Sequence, residues 1–266
     1  MFSRLTFVNT KTIIVKKEIS IGLICLILFL SDRTGAQNTF YLGVKGGISI
    51  PNLTAGSDNQ NPLSNGFSSR LGADFGILAE FPINKWFSIQ PEIDYSGQGG
   101  KHNGLQAVPD PYMSSPPYFY ANFRNVARLN YLQVPIMAKF NFAIAKKLQF
   151  YVNAGAFAGF LLSAKEISSG DSYLYEDAQG QQPVSPQQES FDTTENIKSS
   201  INSFNAGLIG LVGLSYNICG GKGFIEAGGS YGFINIQKYS ADGTNYAGAA
   251  TIHLGYAYAI HCKKKH

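Results

Sequence analysis

Residues 70–95 read RLGADFGILAEFPINKWFSIQPEIDY, and the alternation of their side chains decides the fold. Leu71, Ala73, Phe75, Ile77, Ala79 and Phe81 share one parity. Arg70, Gly72, Asp74, Gly76 and Glu80 share the other, with Leu78 as the exception. After the short break Ile83-Asn84-Lys85 the alternation resumes, with Phe87, Ile89, Ile93 and Tyr95 against Ser88, Gln90, Glu92, Asp94 and Ser96. A period of two over this length marks a strand with unlike faces, and two such strands across a tight break make a hairpin.

Outward from this hairpin the pattern recurs. Strand-like segments fall at about 40–50, 68–81, 87–97, 128–142, 148–164, 201–216, 224–235 and 247–260. The gaps between them alternate in length. The long ones are 51–67, 98–127, 165–200 and 236–246, and the short ones centre on 83–85, 143–146 and 217–221. A soluble sandwich has no reason to sort its connections this way. A barrel in an outer membrane does, because tight turns face the periplasm and long loops face outside. The sequence therefore predicts an all-β fold: an eight-stranded antiparallel up-and-down transmembrane β-barrel in the cell outer membrane, with both ends of the barrel domain periplasmic.

The ends fit this compartment. Arg4, Lys11, Lys16 and Lys17 precede an apolar run over residues 19–30, and a polar stretch then ends Thr34-Gly35-Ala36. Basic start, short apolar run and small residues describe a cleavable signal peptide over 1–36; a spanning helix needs about 20 apolar residues. The barrel domain is assigned to 37–262, and Lys263, Lys264, Lys265 and His266 form a short basic periplasmic tail over 263–266. The formal net charge of +4 lies mostly at the two ends, since residues 37–262 hold thirteen basic against fifteen acidic side chains. No basic cluster marks a nucleic-acid footprint, so no nucleic acid is expected as a partner. A mean hydropathy of −0.04 suits a barrel whose outward apolar residues alternate with inward polar ones.

Cost decides which face is the lumen. A Lys or Arg on the lipid face at the bilayer midplane costs about 2–4 kcal/mol, so the charged parity points inward. Eight strands leave an interior just wide enough for side chains to fill. Lys45, Arg70 and Lys139 are expected to neutralise Asp74, Glu80, Glu92, Asp94 and Glu226 there as a paired plug, and His253 has the same inward parity. Pro91 and Pro135 sit mid-strand, where neither can donate to a ladder; coinciding bulges or plain drift would each account for them.

Five segments resemble the PorT-like outer-membrane β-barrel family of Gram-negative bacteria. They are residues 42–49, 70–81, 87–95, 131–135 and 153–160, and the Pro91-Glu92-Ile93-Asp94-Tyr95 and Tyr131-Leu132-Gln133-Val134-Pro135 stretches are the most specific. The resemblance implies a barrel in the outer membrane, and its namesake acts in protein export to the cell surface. Barrels of this kind end on an aromatic. This chain continues to His261 and Cys262, so recognition by the barrel-insertion machinery is expected to use Tyr256 or Tyr258.

No catalytic set, nucleotide motif or metal-ligand spacing is evident; His102, His253, His261 and His266 are far apart or terminal. No cofactor is expected, and outer-membrane lipid is the expected surrounding. The gap 165–200 carries seven acids against two lysines and reads as a solvated, mobile outside loop. The gap 98–127 carries Tyr112, Tyr118, Phe119 and Tyr120 among prolines, aromatics of the kind that binding surfaces use. A protein partner or surface ligand is expected at these two loops. Removing the signal leaves Cys219 and Cys262, either a periplasmic disulfide or two free thiols. The favoured function is a non-enzymatic structural, surface-contact or export-accessory barrel. A small passive pore is the alternative, and an outer-membrane enzyme comes third.

Overall fold

The computed structural model describes residues 39–55, 61–110 and 118–261. Eight long strands carry the fold: β1 Thr39–Ala55, β2 Gly72–Pro82, β3 Phe87–Pro109, β4 Tyr118–Ala143, β5 Leu148–Ser169, β6 Phe204–Ile218, β7 Gly221–Gly232 and β8 Asn245–His261. Each pairs antiparallel with its neighbours in sequence, and β8 closes onto β1 from Thr39↔His261 to Ala55↔Asn245. No helix among the described residues is long and apolar enough to cross a membrane.

The ladder can be followed once around. From Pro82 it runs through Ser88, Lys139, Asn153, Leu211, Gly228, Thr251 and Ser49 and returns to β2 at Gly72, ten residues from where it began. Stagger and strand tilt are linked in a closed barrel, and eight tilted strands enclose a bore that side chains fill.

The faces follow the parity of the sequence. Leu42, Val44, Phe75, Ile77, Leu208, Val212, Ile252 and Leu254 are exposed on the outside, while Lys45, Asp74, Glu80, Glu92, Asp94, Lys139 and Glu226 are buried inside. Leu78 is inward as well, and packs in the bore with Tyr151, Phe224 and Ala257. Aromatics ring both ends of the outer surface. Phe40 stacks on Phe81 and Trp86 on Phe140 at the tight-turn end; Phe160 meets Phe204 and Tyr231 meets Phe233 toward the other. Their amphipathic rings suit the two membrane–water interfaces.

Three expectations need correction. The gap 98–127 is mostly strand: β3 and β4 continue as a hairpin arm paired through Pro109↔Tyr118. The gap 165–200 is largely exposed, as expected, but it is not without pairing of its own. Thr193–Asn196 adds to β5 opposite Lys165–Ser168, Asp171–Ser172 pairs with Glu189–Ser190, and the Tyr120 and Tyr175 backbones exchange two 2.8 Å hydrogen bonds. The Asp177 carboxylate accepts the backbone N–H groups of Gln179, Gln181 and Gln182, closing a turn on itself.

The prolines produce no bulge. The β3–β4 ladder passes from Pro91↔Ile136 to Asp94↔Gln133 with its register unchanged, so the missing donors interrupt the ladder and do not shift it. The bulge lies elsewhere, between Asn130↔Ser163 and Tyr131↔Leu161 of β4–β5.

Candidate functional site

Two layers of charge cross the bore. In the layer nearer the tight turns, Glu80 of β2 receives Lys139 Nζ of β4 at 2.9 Å and Lys222 Nζ of β7 at 2.7 Å. Ser88 Oγ lies 3.2 Å from the same carboxylate. The lysines also lie over aromatic rings, Lys139 4.0 Å from the Tyr151 centroid and Lys222 4.2 Å from that of Tyr41. In the next layer Lys45 of β1 pairs with Glu92, lies 3.1 Å from Asp94 and 3.8 Å from Glu226. His253 of β8 bridges Asp74 at 3.0 Å and Glu226 at 3.4 Å, and Tyr151 donates to Glu226 at 2.9 Å. Gln90 joins the layers by donating to Glu92 and accepting from Lys139 at 2.9 Å.

Packing leaves these groups no alternative position. A Cβ on Gly76 would fall 2.0 Å from Asp94 Oδ1, and one on Gly213 would fall 2.4 Å from the Tyr151 ring. Glycine at the two inward positions admits the carboxylate and the phenol. Buried charges are tolerated only when paired, and the pairing runs across six of the eight strands in the Lys45, Glu80 and His253 contacts alone.

Seven of the eight residues expected in the bore network lie in it. Arg70 does not. It precedes the first β1–β2 pair, Ser49↔Gly72, and its guanidinium donates to the Gln98 carbonyl at 2.6 and 3.2 Å and to the Leu71 carbonyl at 2.9 Å. Lys222 takes the place assigned to Arg70. It was hidden by the run Cys219-Gly220-Gly221, which reads as a turn reaching further than it does; the turn itself is Cys219-Gly220, both at positive φ.

Along the inner side of β4, Lys139, Met137 and Gln133 give way to Tyr131, Leu129 and Ala127. There the bore is closed by an apolar layer of Leu53, Leu129, Tyr131, Leu161, Ile201 and Ile236, each buried. Above that layer the connections fold over the mouth. Asn202 N–H donates to the Ile236 carbonyl at 2.8 Å, and Asn245, fully buried, donates to the Ser64 carbonyl at 2.9 Å. Between layer and cap lies a cavity of about 280 Å³, lined by Leu53, Phe67, Phe123, Leu129, Ile197 and Ile201 with His102, Asn125, Glu166 and Asp242 among the polar groups. Burial lowers the His102 pKa.

With this geometry in place, comparison with known proteins decides the family. Residues 33–246 match the family model described as the outer membrane protein beta-barrel domain. The chain belongs to this family. It is an outer-membrane β-barrel.

Similar solved structures include Ail, the attachment invasion locus protein of Yersinia pestis, at 12% identity and a TM-score of 0.35, covering 85% of this chain and 100% of that one. Neisserial surface protein A gives 13% and 0.35 over 81% and 95%. The N-terminal β-barrel domain of Pseudomonas aeruginosa OprF gives 12% and 0.31 over 84% and 98%. No curated protein matches the sequence.

The remaining residues singled out in this outer-membrane barrel divide by position. Tyr118, Phe119 and Tyr120 are half-buried on the hairpin arm, where the Tyr118 and Tyr120 rings meet edge to face at 5.7 Å. Tyr112 lies outside the described residues, as do Cys262, the 263–266 tail and the 1–36 segment. Cys219 is exposed at the tight-turn end. Among the described residues no group of three His, Cys, Asp or Glu is arranged to hold a metal ion.

Proposed function

We propose that this barrel is a non-enzymatic structural and surface-contact component of the outer membrane, and that it does not serve as a pore. The observation that carries this reading is the pair of lysines, from β4 and β7, that meet on Glu80 inside the bore. A conducting barrel of eight strands would have to part buried ion pairs, which is strongly unfavourable. The apolar layer and folded cap above them add a second obstruction.

The end with long connections faces outside in this reading, and the hairpin arm with Tyr118, Phe119 and Tyr120 is the part that meets a protein partner or surface ligand. The resemblance of residues 91–95 and 131–135 to PorT-like barrels supports a role as an accessory to export. Site-specific photo-crosslinking in intact cells tests the contact. A crosslinker at Tyr118 or Tyr120 is expected to give a discrete protein or glycan adduct that one at lipid-facing Phe75 does not. Adducts absent from both arm positions, or identical at all three, would overturn it.

A further inference from the structure

The cavity under the cap differs from the bore below it, where lysines pair with the carboxylates. Two carboxylates line it, Glu166 and Asp242, and among the described residues no lysine or arginine does. Neither carboxylate makes an ion pair among the described residues. Asn125 is 8% exposed; its amide nitrogen donates to Glu166, and its Oδ1 is a buried acceptor without a partner. A buried unpaired acceptor is unfavourable, and that cost is recovered when a donor arrives. The rest of the lining is ring and branched aliphatic surface from Phe67, Phe123 and Ile201. Burial of the His102 imidazole, which also lines the cavity, disfavours its charged form.

The β-bulge builds this arrangement. Inward parity on β5 is odd up to Leu161, and the extra residue at Leu162 moves it to even, so that Ala164 and Ser168 are buried and Glu166 turns toward the mouth. Bulges serve to re-aim side chains, and without this one Glu166 would face outward.

We propose that the cavity is a binding site for a small organic cation, an aromatic or branched apolar body carrying one ammonium group. The ammonium sits against Asn125 Oδ1 and the Glu166 carboxylate, and the body packs on Phe67, Phe123 and Ile201. A volume of about 280 Å³ lies at the lower edge of the usual range for ligand pockets, about 300–1,000 Å³, so the ligand is of fragment size. This site is independent of whether the hairpin arm also meets a macromolecule.

The test uses the folded barrel in zwitterionic nanodiscs, titrated calorimetrically against three probes with one ring body: tryptamine, the neutral 3-ethylindole and the anionic indole-3-propionate. Empty nanodiscs correct for partition into lipid. Tryptamine is expected to bind about tenfold more tightly than either of the others, since one charge-assisted hydrogen bond is of that order. Glu166→Gln should weaken it about tenfold, and Ala107→Trp, which fills the cavity from the hairpin arm, should abolish it. Heat-modified gel mobility verifies that each variant is folded. Equal binding of the three probes, no tryptamine binding above empty nanodiscs at about 1 mM, or binding indifferent to Ala107→Trp would each overturn the proposal.

Discussion

Lys222 Nζ lies 2.7 Å from the Glu80 carboxylate although 142 positions separate the two residues in sequence. Only closure of the barrel brings β7 and β2 to opposite walls of one bore. The contact is therefore a report on the finished fold, and it shares its acceptor with Lys139.

Removing that acceptor should be costly. Glu80→Ala leaves two buried ammonium groups without their shared carboxylate, and breaking a buried pair this way costs about 3–5 kcal/mol. Lys222→Met should cost less, because Glu80 keeps Lys139 and the methionine stem can pack on Tyr41. Urea titration in lipid vesicles, followed by the gel shift between folded and unfolded barrel, measures both. Equal stability of Glu80→Ala and the parent would contradict the network.

The inward glycines separate from the outward ones in the same strand. Gly213→Ala drives a methyl into the Tyr151 ring and within 2.7 Å of the Ile225 carbonyl, whereas the nearest atom to a Cβ on Gly210 is 4.0 Å away. Overpacking of this kind costs about 1–3 kcal/mol. Gly210→Ala should be neutral or slightly stabilising, since it restricts the unfolded chain. The same urea titration distinguishes them, and a Gly213→Ala variant as stable as Gly210→Ala would show that the bore has room.

The alternation of short and long connections reached most of this. Eight strands, their neighbours and their lipid faces are legible because the bilayer penalises every charged residue of the wrong parity. Beyond the membrane that penalty ends. The arm formed by β3 and β4 lost its alternation at Gly99 and Gly104, both at positive φ, and so read as loop. Glu166 could not be assigned inward because a single extra residue at Leu162 reverses the parity, and no local composition marks it. Arg70 was misplaced for the opposite reason: its parity is right, but the ladder starts two residues later.

Asp177 gives a pH signature outside the membrane. Desolvation opposes its ionisation but is outweighed by N–H donors from Gln181, Gln182 and Gln179, so its pKa lies below the usual 3.8. A depressed carboxyl contributes stability above its unfolded pKa and loses it as the pH falls through the folded value. The amides of Gln181 and Gln182 should stay protected from hydrogen exchange at pH 4 and lose protection only on further acidification. Asp177→Ala should abolish that protection at neutral pH; unchanged exchange would contradict the turn.

Orientation is open to a direct check. Tags inserted at Gly180 and at Asn84 lie at opposite ends of the barrel, in a long connection and a tight turn. Antibody should reach the first on intact cells and the second only after permeabilisation. Labelling at Asn84 without permeabilisation would invert the topology.

Conductance tests the central claim most directly. Purified barrel inserted into planar bilayers should give no stable large channel, because Lys139, Lys222 and Glu80 bridge the bore and Leu129, Tyr131 and Leu161 close its upper end. Reproducible open channels of porin-like conductance from the unaltered protein would contradict the account and make solute passage its function.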